Sequence, residues 1–496
     1  MEEKLVVVVD VINKLIRMKI KLVLALFFFS SIVFSQVKDT TNLVYKKRVL
    51  EGIEVDFLLS YYKQDGLHSS VSGGLGSEKL TDLASNITVS IPLNDDNILT
   101  VDAGISAYTS ASSSNINPFN ASGASGAGGD DDDDDGRIST GPWGTPWQAS
   151  SGASAQDALA SFVINYSHNS DDRNFIWNAD LAFSNEYDYT SIGFGGGVSK
   201  LFNNKNTEIS LKANVYLDQW RPIYPTELHE YGTYGSNFQN NGFFSGVTIL
   251  DQSGNASTSY LPNKFKNWDA TNRNSYSASL GFSQVATKRM QFSLFFDLLQ
   301  QEGMLSSPYH RIYFADKANY YIGQAQYISV YETAQNNGVY HLADDIERLP
   351  STRFKIPFGS RLNYYVNERL TLRTYYRYYW DDWGITSHTA SIELPIKLSD
   401  KFTVSPTYRY YTQQSSKYFA PYETHLSTEN YYTSDYDLST FNAHQYGLGV
   451  SYTDIFANAN IWKFGLKNID FRFNHYDRND GLNANIVTIG FKFVQQ

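Results

Sequence analysis

The sequence predicts an all-β fold, a transmembrane antiparallel up-and-down β-barrel of about sixteen strands, and three observations predict it. The first is alternation. Within residues 370–398, Leu372, Tyr376, Tyr378 and Trp380 share one parity, while Arg373, Tyr375, Arg377 and Tyr379 share the other. Further on, Ala390, Ile392, Leu394, Ile396 and Leu398 alternate with Ser391, Glu393, Pro395 and Lys397. Successive strand side chains point to opposite faces, so each half is a ribbon with one apolar and one polar face. Each run has about ten residues, the length at which a tilted strand crosses a bilayer. The second observation is that no stretch after residue 35 supplies the roughly 18 uncharged apolar residues of a transmembrane helix, which leaves a closed barrel as the spanning structure. The third is aromatic content. The 496 residues include 37 Tyr and 31 Phe, which suits a barrel with two aromatic girdles.

At the N-terminus, Met18 to Gln36 reads as a secretory signal peptide. Lys19 and Lys21 form its basic region, Leu22 to Phe29 its apolar core, and Val33-Phe34-Ser35 its cleavage site. Residues 1–17 are read as an extension of the gene model ahead of a true start at Met18, with a bipartite leader as the alternative. The signal peptide occupies 18–35, a short periplasmic segment too small for a plug occupies 36–50, and the barrel with long extracellular loops occupies 51–496. There is no cysteine, which excludes disulfides, thiolate metal sites, Cys-linked haem and a lipoprotein anchor. An exported, cysteine-free, aromatic-rich chain points to a Gram-negative outer membrane. A net charge of −11 argues against nucleic acid as a partner.

The strand unit then recurs along the chain. Val55, Phe57, Leu59 and Tyr61 form one apolar face, Ile87, Val89 and Ile91 the next, and Leu99, Val101, Ala103 and Ile105 a third. Polar turn sequences punctuate the series at PLNDDN (92–97), NSDDRN (169–174), NNKN (203–206), TKR (287–289), NER (367–369) and SDK (399–401). A looser turn is expected near 458–463. Between these turns come connections at about 65–84, 110–157, 220–274, 303–351 and 413–441, with brief ones near 187–190, 381–387 and 478–483. Short turns alternating with longer loops match periplasmic turns on one rim and extracellular loops on the other. In the last strand Val487, Ile489, Phe491 and Phe493 share a face, and an aromatic-ended last strand resembles the assembly signal of outer-membrane barrels.

The stretches VDFLLSYYKQDG, SIPLNDDN, VDAGISAYTSASSSNINPF, YSHNSDDRN and EYDYTSIGFGGG resemble a domain-of-unknown-function family of outer-membrane proteins from Bacteroidota. The resemblance covers nearly the whole mature chain. It implies exported barrels without an assigned activity, and it supplies no catalytic residues.

Several motifs carry residue types with possible chemistry. In the run Asp130 to Asp135, the residues Asp131, Asp133 and Asp135 with Gly136 match the start of a calcium loop, but Pro142 stands where the bidentate Glu belongs. The run is read as a solvated loop, with weak divalent-cation binding as the second reading. Gly193, Gly195, Gly196 and Gly197 lie within a strand pattern, so they are read as leaving room in the lumen or allowing close backbone approach rather than cradling phosphate. His68 with Ser70, and His168 with Ser170, lack an orienting partner, and no catalytic residue and no cofactor is expected. Trp143, Trp147, Trp220, Tyr224 and Tyr340 are read as packing the long loops together, with sugar or partner contact as the alternative.

The strongest functional signal is the polar strand face. Across the first nine strands it carries Glu54, Asp56, Asp102, Asp180, Glu208, Asp218 and Asp297, against Lys212. Across the remaining strands it carries Arg353, Lys355, Arg361, Arg373, Arg377, Lys397, Arg409, Arg472 and Lys492, against Glu393 and Asp470. Such charges need water or one another. The reading is a passive, porin-like pore whose acidic and basic walls face each other across the lumen. Its partners are outer-membrane lipid, the barrel-assembly machinery and small polar solutes. A surface scaffold for adhesion or a surface complex is the first alternative, and an outer-membrane hydrolase the second.

Overall fold

The computed structural model describes residues 48–109, 156–186, 188–334 and 338–496. Sixteen long strands form the wall. They are β1 (Glu54–Asp65), β2 (Leu80–Pro92), β3 (Asn97–Thr109), β4 (Gln156–Asn169), β5 (Phe175–Asn185), β6 (Tyr189–Phe202), β7 (Thr207–Trp220) and β8 (Asn272–Thr287). They continue as β9 (Met290–Gly303), β10 (Thr352–Asn367), β11 (Leu370–Asp381), β12 (Thr386–Glu393), β13 (Phe402–Gln413), β14 (Phe441–Thr453), β15 (Phe464–Arg478) and β16 (Asn483–Gln495). Each strand pairs antiparallel with its neighbours in sequence, and β1 pairs with β16 from Glu54↔Val494 to Asp65↔Asn483. The ring therefore closes and leaves no free edge, which is what a strand needs where no water can satisfy its backbone.

The turns explain the register. At the β2–β3 turn, Asn94 Oδ1 accepts from the N–H of Asp96 at 2.9 Å and of Asn97 at 3.0 Å. Asn367 Oδ1 does the same for Arg369 and Leu370 at the β10–β11 turn. Such side-chain mimicry of a backbone turn is why Asn and Asp cluster there. Asn203, Asn204 and Lys205 take positive φ at the β6–β7 turn, a region in which Asn is enriched. β12 is interrupted at Pro395, which has no N–H to donate, and continues at Ile396–Lys397, while the Leu394 N–H still donates to the Pro406 carbonyl at 3.0 Å. The register is the same on both sides of this gap, with Ile392 opposite Tyr408 and Ile396 opposite Val404. Ile392, Ile396 and Leu398 therefore stay on the exposed face, and the alternation expected through Leu394 continues.

Along β11 and β12 the pairs Arg373↔Glu393, Tyr375↔Ser391 and Arg377↔Thr389 share one face, and Tyr376↔Ala390 and Tyr378↔His388 share the other. The outward face carries the exposed apolar side chains of the wall, among them Phe162, Leu181, Phe194, Leu211, Leu280 and Phe296. An apolar exterior on a closed antiparallel barrel is the surface of a membrane-spanning fold.

The buried apolar core lies elsewhere. Among the described residues, all the buried apolar ones but Ala457 sit in the connections on the loop rim or at the strand ends beneath them. Residues 221–271 contribute helix α1 (Thr226–Tyr234) and the core residues Phe238, Phe244, Ile249 and Tyr260. These pack against Ile322, Tyr340 and Leu342 of residues 304–351. Tyr432 of residues 414–440 joins Ile312 and Phe314 in a further cluster. The β1–β2 connection meets the β9–β10 connection, because Arg311 Nη1 donates to the carbonyl of Val71 at 2.9 Å. Those two hairpins are half a turn apart in a ring of sixteen strands, so the packed loops reach across the barrel mouth as a cap.

Candidate functional site: the charged lumen and its cap

The polar parity positions the lumen. A cavity of about 800 Å³ is lined by Glu208 and Lys212 from β7, Asp297 from β9, Arg361 from β10, and Tyr375 and Arg377 from β11. Ser210, Ser279, Gly281 and Ser293 line it as well, and their small side chains leave the charged groups standing clear of the wall. Among the described residues, Glu208, Asp297, Arg361 and Arg377 enter this space without a direct ion pair. Arg361 lies 5.5 Å over the Tyr375 ring, and Arg377 Nε has no hydrogen-bond partner. Gly193, Gly195 and Gly197 share the inward parity and make room, whereas Gly196 lies on the other face against the Asn178 carbonyl. A Cβ at Gly195 would meet Asn214 Oδ1 at 2.5 Å and Asp180 Oδ2 at 2.9 Å.

Elsewhere the predicted residues come together differently. At the closing seam, Lys492 Nζ lies 2.7 Å from Glu54 and 3.3 Å from Asp56. Arg472 pairs with Asp470 at 2.9 Å and with Glu393 at 3.3 Å, and Glu393 also meets Arg373 at 3.5 Å. Arg472 on β15 reaches Glu393 on β12 because Gly449 and Ser405 keep the intervening wall low. Asp180 meets Lys212 at 3.9 Å and accepts from Asn165. Asp102 accepts from Asn86 at 2.8 Å and from Thr88 at 2.6 Å. Near the loop rim, Asp218 is buried and accepts from Ser191 at 2.6 Å. Also near that rim, Arg353 pairs with Asp381 at 2.6 Å and stacks over Trp383, and Lys355 stands opposite Asp381 in register. Lys397 bonds Asp400 at the turn rim, 3.0 Å away. Arg409 opens on a second cavity of about 320 Å³ with Asp437, Tyr476 and Arg478. The two expected walls are therefore a mosaic, with acids and bases bonded side by side at the seam and around Glu393. Uncompensated charge is concentrated around β7 to β11.

The cap carries charges that alternation could not assign. Arg311 and Glu227 form a fully buried ion pair at 3.0 Å, and Glu227 Oε1 also accepts from the N–H of Ala343 at 3.2 Å. Burial pushes the Glu227 carboxyl upward, with the Arg311 charge opposing that shift. His341 is held between Tyr313 and Tyr321, with ring centroids 4.1 and 4.7 Å away, and its burial lowers its pKa to about 3. The available signal was charge embedded in aromatic sequence, as in YHRIYF (309–314) and YHLADDIERL (340–349).

The loop aromatics pack. Tyr224 Oη accepts from the N–H of Trp268 at 2.9 Å, Tyr340 belongs to the cap core, and Trp220 meets Tyr189 edge-on at 6.0 Å. Trp143, Trp147, Asp131, Asp133 and Asp135 lie outside the described residues. Neither Ser–His pair forms a dyad. His68 Nδ1 bonds the Gly74 carbonyl at 3.2 Å, while His168 Nδ1 bonds Asn97 and Ser170 Oγ donates to Asp172.

The chain belongs to the family described as "Protein of unknown function (DUF3570)", which matches residues 22–487. No curated protein matches it. Among solved structures, it is similar to a bacterial polysaccharide outer membrane secretin at 10% identity and TM-score 0.39, over 90% of this chain and 99% of that one. A BenF-like porin from Pseudomonas fluorescens Pf-5 shares 8% identity at TM-score 0.35, over 90% and 99% of the two chains. Pseudomonas aeruginosa OccK2 (OpdF), solved in complex with glucuronate, shares 8% identity at TM-score 0.34, over 92% and 100%.

Proposed function

We propose that this protein is an outer-membrane, porin-like barrel that passes small polar solutes through a charged lumen beneath a packed extracellular cap. The observation that carries this reading is the cavity of about 800 Å³ in which Glu208, Asp297, Arg361 and Arg377 stand without a direct ion pair. Charges held this way inside an apolar shell need water, and a hydrated, charged lumen favours polar solutes over apolar ones. The apolar exterior and the export signal support outer-membrane lipid as the surrounding medium. The aromatic-ended β16 supports recognition by the barrel-assembly machinery. In this reading the mosaic wall sets selectivity, with Arg361, Arg373, Arg377, Arg409 and Arg472 on the basic side and Asp102, Asp180, Glu208 and Asp297 on the acidic side.

Arg409 on β13 is level with Tyr375, between Arg373 and Arg377 on β11, because Tyr375 pairs with Ser391 and Ser391 with Arg409. Two strand spacings, roughly 10 Å, separate them. That is close to the Debye length of ~8 Å at physiological salt, so their potentials overlap. Replacing all three arginines with Gln is expected to shift the reversal potential in planar bilayers toward cations, and molar salt should shrink the shift. Absence of conductance by the wild type and by a cap-trimmed form would sink the pore and favour the scaffold reading, which the folded cap also suits. The hydrolase alternative has no Ser–His dyad among the described residues.

A further inference from the structure

We propose that His310, Glu347 and Asp435 form a binding site for one divalent transition-metal ion, which clasps the β9–β10 connection to the β13–β14 connection within the cap. A ring nitrogen of His310 and one carboxylate oxygen from each acid all lie within 4.8 Å of one another. Ligands at ~2.1 Å from a tetrahedral ion stand roughly 3.4 Å apart. His310 Nδ1 and Glu347 Oε2 are already 3.5 Å apart, the edge such an ion requires. The third ligand, a carboxylate oxygen of Asp435, lies within 4.8 Å of the other two.

The imidazole points to a cation rather than to a neighbour in the protein. Its Nδ1 is sealed from solvent and has no hydrogen-bond partner, although Glu347 Oε2 is only 3.5 Å away. The acids are held from behind, as ligands usually are. Glu347 Oε1 accepts from the N–H of Ser307 at 2.7 Å, and its Oε2 accepts from Thr433 Oγ1 at 2.5 Å. Asp435 Oδ1 accepts from the N–H of Asp437 at 3.0 Å, and the Asp435 N–H donates to Thr433 Oγ1 at 3.1 Å. One imidazole with two carboxylates and no thiolate suits zinc or a neighbouring first-row ion, whereas calcium and magnesium prefer oxygen throughout. His310 and Glu347 are joined through the backbone, since the Glu347 N–H donates to the His310 carbonyl at 2.8 Å. Asp435 comes from the other connection, so the ion would close a cross-link between two loops whose strands are four apart in the ring.

The test uses the full mature chain in detergent, stripped with chelator and titrated with zinc by calorimetry. About one tightly bound zinc per chain is expected, with proteolysis of the cap slowed about tenfold on binding. Asp435→Asn and His310→Gln should each weaken binding at least tenfold. The chain with Asp130 to Asp135 replaced by Ser should bind as the wild type does. Heat-modifiable mobility confirms that each variant has assembled its barrel. The cobalt(II) absorption spectrum of the wild type, expected to show a low-coordinate nitrogen and oxygen site, gives a readout that needs no variant. Zinc binding unchanged in both single variants, binding lost with the Asp run, or a site that takes calcium in preference to zinc would each overturn the proposal. So would a wild type that binds no zinc, which would leave a plain His310–Glu347 ion pair.

Discussion

Leu280 on β8 and Leu228 on α1 are the same residue in one chain, yet Leu280 keeps 50% of its surface exposed and Leu228 keeps none. The wall turns its apolar side chains outward and is held by a closed ladder of backbone hydrogen bonds, so its apolar contacts are made with lipid. The cap turns Phe238, Phe244 and Tyr260 inward around a core such as water-soluble domains build. Polar groups follow the same inversion. Asp297 and Arg361 stand in an open cavity, whereas Arg311 and Glu227 are sealed together at 3.0 Å. One sequence thus encodes two solvents, and a residue's meaning depends on which one its segment meets.

Disrupting the cap's ion pair should give the largest effect and should separate the two regions. Arg311, in the β9–β10 connection, ties three connections together through Glu227 and the carbonyl of Val71. Arg311→Met leaves a buried carboxylate unpaired, which costs about 3–5 kcal/mol. The cap is expected to become protease-sensitive while the barrel keeps its heat-modifiable mobility. Simultaneous loss of both would show that cap and wall fold as one unit.

A charge on the lipid face should come next. Leu280→Arg places a guanidinium outward in mid-strand and should cost about 2–4 kcal/mol in urea unfolding from liposomes. Ser279→Arg, one residue away and facing the cavity, should cost far less. Equal costs would mean that the lumen is as dry as the bilayer, and the contrast between wall interior and wall exterior would fall.

The wall was legible in the sequence because strand parity needs only one residue of context. Turn chemistry at Asn94, Asn203 and Asn367 punctuated it, and all sixteen strands and the alternation of short and long connections follow. Inward placement of Glu208, Asp297 and Arg377 was legible on the same ground. Their partners were not. The Arg472–Glu393 pair depends on wall curvature and on the low relief at Gly449 and Ser405, which are properties of the closed ring. The cap was legible only as aromatic-rich loops. Its contacts join segments far apart in sequence without periodicity, as where Tyr260 Oη donates to the Ala343 carbonyl at 2.6 Å.

The smallest effect, and the finest test of the contrast, is titration inside the cap. Burial pushes the Asp344 carboxyl up to about 7, and its Oδ2 accepts from the N–H of Phe314 at 2.9 Å. An acid whose folded pKa is raised binds more protons folded than unfolded, so its contribution weakens as pH climbs from about 4 to about 7. His341 acts in the opposite sense. Its folded pKa is lowered to about 3, so it costs stability as pH falls from about 6.5 toward 3. Across pH 4 to 6.5 the two slopes oppose each other, and the wild-type cap should show a muted dependence. Asp344→Asn keeps an acceptor for Phe314 and removes the carboxyl's term. Relative to the wild type, its cap should gain resistance to proteolysis steadily from pH 4 to 7 and level off above. A difference that stays flat with pH would mean that Asp344 is hydrated like the lumen carboxylates, and that the cap is wetter than its buried tyrosines imply.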